Sequence, residues 1–256
     1  MEGLLNLEIA EVGAFQIMCS PNDLRALAVG FAFSEGMIAS REEILLLSQC
    51  QSDPFTIRMQ LAHPQKAGDG KRNLLVVSSC GMCGSQIRLE EFIARLPRAG
   101  AKLRLPIRWV QETPVKLRSL QRLFQTTGGT HAAAVFDPSG ELISFGEDVG
   151  RHNALDKAIG LCVLSNRGLE GCALVLSGRV SLELVAKSAR AGIELIAAFS
   201  APSSLAVATA ERCNITLVGF VRDDRATVYS HFWRIQYPPA SSPPADPAPL
   251  VHRGSH

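Results

Sequence analysis

The sequence predicts an α/β fold, and three observations carry that expectation. From His131 onward, short apolar runs of buried-strand type ("CALVLSG", "IELIAAFSAP", "ITLVGFVR") are separated by stretches with helical periodicity. Alternation of that kind implies a largely parallel sheet with flanking helices. Ahead of it, two helix and two strand patterns surround a Cys-Gly segment, which reads as a smaller N-terminal α+β part. The predicted division is therefore residues 1–113 for the N-terminal part, 114–237 for the α/β part, and 238–256 for a disordered tail rich in Pro, Ala and Ser. The last residues, Arg253-Gly254-Ser255-His256, resemble a tag remnant.

The first helix is predicted within "SPNDLRALAVGFAFSEG". Ser20 suits the N-cap, Pro21 the first helical position and Asp23 the capping-box acid. Leu24, Leu27, Ala28, Phe31 and Ala32 follow helical spacing, and Gly36 suits the stop. "FTIRMQLA" alternates as a strand, "PQKAGDGKRN" reads as a loop, and "LLVVSS" as a short strand entering the Cys-Gly segment. "SQIRLEEFIARLPRAG" places Leu89, Phe92, Ile93 and Leu96 on one helical face, ending at Pro97 and Gly100.

"PVKLRSLQRLFQTT" is predicted helical, and "HAAAVFDPSGELISFG" a hairpin about Asp137-Pro138-Ser139-Gly140. "HNALDKAIGLCVL" puts Leu155, Ala158, Ile159 and Cys162 on one helical face. Then follow strand "CALVLSG", helix "SLELVAKSARAG", strand "IELIAAFSAP", helix "SSLAVATAERCN" and strand "ITLVGFVR".

Composition narrows the function classes. With 256 residues, 46% hydrophobic and 20% charged, a soluble globular protein is expected. A net charge of +2 argues against a broad nucleic-acid surface. No apolar run reaches the roughly 18–20 residues of a membrane span, and "MEGLLNLEIAEV" lacks the basic start of a secretory signal. Seven cysteines, an odd count, fit a reducing cytoplasm better than a disulfide framework. Cys19, Cys50, Cys162, Cys172 and Cys213 stand singly and mostly read as buried small hydrophobes.

Cys80 and Cys83 differ. In "SSCGMCG" they are flanked by glycines at the entrance to a helix, whose partial positive charge stabilises a thiolate. That context points to reactive sulfur on an arm. Structural zinc is the alternative, but it needs about four ligands, and neither a second C-x-x-C nor a paired His is present unless two chains share the site. A thioredoxin-like redox pair requires a βαβ context with its own active-site turn.

Four loops combine glycine with polar groups. They are Gly128-Gly129-Thr130-His131, the run "GEDVGRHNALDK" with Arg151 and His152, Ser177-Gly178-Arg179 before Ser181, and Phe220-Val221-Arg222-Asp223-Asp224-Arg225. Glycine lets backbone N–H groups approach a phosphate, and Arg neutralises it, so a phosphorylated or nucleotide-like ligand is expected. None is a Walker A or dinucleotide fingerprint. "EDVGRH" fits equally a capped helix start with an ion pair, and His131 fits a satisfied core histidine.

Together "GFAFSEGMI", "SSCGMCG", "TGGTHAAA", "GEDVGRHNALDKAIG", "SGRVSLELVAKSARAGI" and "GFVRDDR" resemble the formate dehydrogenase accessory family FdhD/NarQ, from about Pro21 to Tyr229. The resemblance implies a sulfurtransferase. A cysteine desulfurase would load a persulfide on Cys80, with Cys83 as helper. The sulfur would pass to the molybdenum or tungsten of a bis-pterin guanine dinucleotide cofactor (Mo-bis-MGD), bound as substrate, for formate dehydrogenase. It further implies a cofactor stretch at Phe220–Arg225 that a GDP-like nucleotide could occupy, a homodimer, no catalytic metal of its own, and a cytidine deaminase-like mixed sheet. The deaminase reaction itself is not expected: His131-Ala132-Ala133 lacks the Glu of His-x-Glu, and the C-x-x-C comes first. The competing expectation is a zinc-stapled, non-enzymatic chaperone for the cofactor or the dehydrogenase.

Overall fold

The first twenty residues, to which periodicity assigned no element, form a hairpin. Strands β1 (Gly3–Ile9) and β2 (Gly13–Cys19) are antiparallel; with β3 (Ile44–Gln49) and β4 (Thr56–Leu61) they make a sheet of order β2-β1-β4-β3. The computed structural model describes residues 2–67, 86–237 and 251–253, with backbone alone at 86–88 and 251–253. The predicted strand "LLVVSS", residues 68–73 of the loop "PQKAGDGKRN" before it, and Cys80 and Cys83 lie outside the described residues; the start of that loop, Pro64–Ala67, is a 3-10 turn.

Helix α1 (Leu24–Ser34) begins later than its cap signals suggested. Asp23 takes the N-cap position in a left-handed conformation (φ 54°) with no side-chain cap bond. Ser20 is not a cap, because tertiary bonds claim it. Its N–H donates to Asp148 Oδ2 at 2.9 Å and its hydroxyl accepts from the Val149 N–H at 3.0 Å. Gly36 ends the helix as predicted, at φ +77°.

Helix α2 (Gln86–Ala94) starts three residues after Cys83. Of its predicted face, Leu96 just beyond it is buried, Leu89 and Ile93 are half-buried, and Phe92 is exposed beneath the Arg190 guanidinium. Strand β5 (Leu105–Pro106) leads into α3 (Ile107–Leu120), and α4 (Arg122–Thr127) follows. The helix predicted from Pro114 thus starts two turns earlier, with Pro114 inside it.

The remainder follows the predicted order: β6 (His131–Phe136), β7 (Leu142–Asp148), α5 (Arg151–Leu164), β8 (Ala173–Leu176), α6 (Leu182–Arg190), β9 (Leu195–Ala198), α7 (Ser204–Arg212) and β10 (Thr216–Gly219). Unpredicted are β11 (Ala226–Ser230), β12 (Ile235–Gln236), which pairs with β5, and β13 (Val251–Arg253). β13 pairs with β11, so the expectation of a disordered tail is corrected at those three residues.

The large sheet has order β13-β11-β10-β9-β8-β6-β7. The expectation of a largely parallel sheet holds at its centre and for the edge pair β11–β13, and not elsewhere. β8, β9 and β10 run parallel, whereas β6 against β8, β7 against β6, and β11 against β10 are antiparallel. The reason is the connections: helical crossovers join the parallel strands, while the turn at Asp137–Gly140 and the short return after β10 can only reverse direction.

Helix α5 is buried on every side because two layers cover it. Ala133, Val135, Leu174, Leu176 and Ile196 of the large sheet share one apolar cluster with Leu5, Leu7, Leu27, Phe31 and Ile57 of the N-terminal unit. α1 crosses α5 so closely that a Cβ on Gly160 would stand 1.9 Å from the Ala26 carbonyl oxygen. Helix α3 covers the other sheet face through Trp109, Val110 and Leu117 against Ala134, Phe136 and Val175. The division expected between residues 113 and 114 falls inside α3.

Candidate functional site

Because β8, β9 and β10 are parallel, their C-terminal ends meet at one edge of the sheet. β6 runs the other way and brings His131 to that edge, directly opposite Asp148 at the end of β7. The four predicted loops therefore converge along a single edge, which is where open α/β sheets hold ligands.

Helices α5, α6 and α7 all start there. Gly150, Ser181 and Ser203 are their N-caps, and Ser203 Oγ accepts the Ala206 N–H at 3.2 Å. The loops after β8 and β9 are tied together: Val180 N–H donates to the Ala201 carbonyl and Ser203 N–H to the Val180 carbonyl. Between these helix starts lies a cleft of about 290 Å³ lined by Arg151, Arg179, Val180, Ser181, Pro202 and Ser203. Three partly positive helix ends plus two guanidinium groups suit it to an anion. Among the described residues, Arg151 Nε is buried without a hydrogen-bond partner, so a donor is held ready there.

His131 lies beside Gly178, the residue before the cleft-lining Arg179. A Cβ at residue 178 would stand 3.0 Å from His131 Nδ1, so a larger residue there would press on the imidazole. Burial, and then the positive charges of Arg151, Arg179 and His152, hold His131 below the ordinary histidine range. It is therefore a neutral ring close to the two arginines. Ser177 Oγ accepts the Ala132 N–H at 2.8 Å and anchors the same loop to β6. His152 Nε2 lies 2.8 Å from Glu183 Oε2 and 3.3 Å from Ser181 Oγ, linking the starts of α5 and α6.

The remaining residues singled out from sequence have structural contacts of their own. Thr130 turns its hydroxyl to Glu147 Oε1 at 2.8 Å, and the Glu147 carboxylate also accepts the Leu123 and Phe124 N–H groups. Gly128 ends α4 at φ +67°, and Gly129 is exposed beside it. Within "GEDVGRHNALDK", Asp148 and Lys157 form a buried pair at the helix start, whose N-cap Gly150 has no side-chain cap, and the same run supplies Arg151 and His152.

The 220–225 loop lies one strand further along and touches the 199–202 loop through Phe220 N–H to the Ser200 carbonyl. Phe220 holds φ 51° and is 45% exposed. Val221 is buried, whereas Arg222 donates through Nη1 to the Phe199 and Val221 carbonyls. Asp223, Asp224 and Arg225 are exposed. Ser203 and Pro202 were not singled out from sequence. Their signal was an N-cap serine at a strand-to-helix junction, "SAPSS", matching "SGRVS" after β8.

Among the described residues no group of three His, Cys, Asp or Glu side chains is placed to hold a metal. Four of the five lone cysteines are buried, and Cys50 is half-exposed. No helix among the described residues is long and apolar enough to cross a membrane.

Comparisons with known proteins agree in one direction. A model of the FdhD/NarQ family matches residues 1–236. The sulfur carrier protein FdhD of Saccharolobus solfataricus is 37% identical over 220 residues, covering 86% of this chain and 82% of that protein. The sulfur carrier protein FdhD of Mycolicibacterium paratuberculosis is 36% identical over 248 residues, covering 92% and 90%. A crystal structure from Desulfotalea psychrophila, described as a formate dehydrogenase accessory protein, superposes with a TM-score of 0.73 at 27% identity, covering 92% of this chain and 90% of that one.

Proposed function

The chain belongs to the FdhD/NarQ family, and from that premise we propose that it is a sulfur carrier that delivers persulfide sulfur for the maturation of formate dehydrogenase. The donor is a cysteine desulfurase and the carrier group is Cys80. The Cys80 thiolate attacks the outer sulfur of the donor's persulfide. The donor's S–S bond breaks, its cysteine leaves as thiolate, and Cys80 now bears the persulfide. No net oxidation occurs in this step.

Delivery to the metal as sulfide needs two electrons. Cys83 supplies them by attacking the Cys80 sulfur. A Cys80–Cys83 disulfide forms, the terminal sulfur leaves as sulfide, and a cellular thiol reductant resets the pair. The acceptor, bound as substrate, is the molybdenum (or tungsten) bis-pterin guanine dinucleotide.

The observation that carries the acceptor half is the cleft. Its helix starts, with Arg151 and Arg179, suit phosphate groups, and a buried Arg151 Nε awaits an acceptor. The exposed Phe220 ring on the neighbouring loop offers a surface for guanine stacking. On this reading the α/β part is a relative of the cytidine deaminase fold put to another use, acting in the cytoplasm as a homodimer.

Intact-protein mass spectrometry after incubation with a cysteine desulfurase and cysteine tests the carrier role. A gain of one sulfur atom that is reversed by reductant and absent in Cys80→Ala is expected. No gain in the wild type would overturn the carrier role. Tightly held zinc, lost together with stability in Cys80→Ala, would instead support a zinc-stapled chaperone.

A further inference from the structure

Charge is unevenly distributed along this chain. Between Arg95 and Arg122 there are eight basic residues and one acid, Glu112, a net of +7 against +2 for the whole chain, so everything else together is net −5. All eight basic side chains belong to exposed residues. Among the described residues, Lys116 with Glu112 is the one ion pair within this segment.

The fold lays the segment out as a continuous band. It leaves α2 at Arg95 and passes the edge opposite the cleft, where Glu194 accepts the Lys102 and Leu103 N–H groups. It then crosses the outer face as α3, which buries Trp109, Val110 and Leu117 and turns Arg108, Lys116 and Arg118 outward. Val115 lies among those charges and is 61% exposed. An apolar anchor among exposed basic side chains, of which only Lys116 has an ion-pair partner among the described residues, is the make-up of a protein-binding surface. A duplex nucleic acid fits it less well, since it presents one charge per about 1.7 Å and gains nothing from an apolar centre.

We propose that this band is the docking surface for the sulfur donor, recognised through an acidic surface on that enzyme. The proposal rests on the carrier reading above. Its place in the chain favours the donor as occupant. The band starts where α2 ends, and α2 starts three residues after Cys83, so a protein seated on it is close in chain to the thiols that must be loaded. The cleft for the acceptor lies at the other edge, which leaves both partners room.

The test is the rate of persulfide loading by a cysteine desulfurase, followed by intact-mass spectrometry at about 0.02 M and about 0.5 M salt. Arg108→Glu/Lys116→Glu/Arg118→Glu is expected to load at least about tenfold more slowly than wild type at low salt and at a similar rate at high salt. Loading by inorganic polysulfide, which needs no docking, stays equal in both. Arg58→Glu, the same kind of charge change on strand β4, leaves enzymatic loading unchanged. Equal enzymatic rates at low salt overturn the docking surface and leave the carrier reading intact. Failure of the wild type to load overturns both. Tight duplex-oligonucleotide binding at physiological salt, lost in the triple variant, overturns the protein partner.

Discussion

Lys157 Nζ lies 2.6 Å from Asp148 Oδ2 with both side chains completely buried. The ammonium also donates to the Ser20 carbonyl, Asn22 Oδ1 and the Glu147 carbonyl, and the carboxylate accepts the Ser20 and Gly150 N–H groups and the Asn153 amide. This pair fastens the segment before α1 to the start of α5, and so fixes where Arg151 and His152 stand. Removing one partner strands a buried charge. Lys157→Met is expected to lose about 3–5 kcal/mol of stability. Urea unfolding with an unchanged slope measures it, and a loss under about 1 kcal/mol would show the pair to be dispensable.

The contact of α1 with α5 sets a second limit. A Cβ on Gly30 would fall 1.7 Å from the Asp156 carbonyl oxygen, and one on Gly160 1.9 Å from that of Ala26. Both obstacles are backbone, so neither can swing aside. Gly160→Ala is expected to cost at least about 1–3 kcal/mol, although alanine is the better helix former. Thermal unfolding decides it, and a raised midpoint would mean that the helices slide apart at little cost.

Arg151 tests the cleft. With Nε buried and unpartnered among the described residues, its guanidinium lacks an acceptor that a phosphate would provide. Arg151→Gln is expected to weaken GDP binding about tenfold, roughly 1.4 kcal/mol, by titration calorimetry, with an unchanged unfolding midpoint. Equal affinity in both proteins would place the nucleotide elsewhere.

Much of this was legible in the sequence, for identifiable reasons. Leu155, Ala158, Ile159 and Cys162 of α5 are fully buried as their helical spacing implies, but most of the residues between them are buried too, because layers on both sides cover this helix. The loops converge on one edge because strand–helix alternation almost forces that geometry. The start of α1 was misread because Ser20, an ideal local cap, is taken by Asp148, more than a hundred residues away. The β1–β2 hairpin was missed: "GLLNLEI" alternates, but its turn at Ala10–Val12 lacks the usual glycine pair. The hydrogen bond from Thr130 to Glu147 was not legible, because a tertiary hydrogen bond leaves no mark in sequence.

His131 gives the edge a pH dependence. Burial first, then Arg151, Arg179 and His152, hold it below the ordinary histidine range, so the folded protein keeps it neutral while the unfolded chain protonates near pH 6.5. Its contribution to stability is therefore present above about pH 6.5 and lost as pH falls from there through the folded value. His131→Gln is expected to flatten that part of the stability curve. In the wild type, an NMR titration should place His131 below about 6.5, and bound GDP should raise it by offsetting the two arginines. A midpoint at or above 6.5 without ligand would contradict the neutral ring.

The lone cysteines bear on how sulfur loading is read. Burial pushes the Cys172 thiol up to about 12 and that of Cys19 to about 11, and it raises Cys162 and Cys213 as well. Cys50 differs: it is half-exposed, and hydrogen bonding from Ser52 lowers its thiol. A thiolate is the reacting species in both alkylation and persulfide exchange. Iodoacetamide at pH 7.5 to 8 (roughly one unit under a free thiol's ordinary pKa) is thus expected to label Cys50 in the folded protein and spare Cys19, Cys162, Cys172 and Cys213. Peptide mapping reads this directly. Labelling of Cys172 before unfolding would mean that the core around α5 opens. Because Cys50 is reactive, persulfide loading should also be followed in Cys50→Ser, where the sulfur gain is expected to persist in full and to vanish only when Cys80→Ala is added.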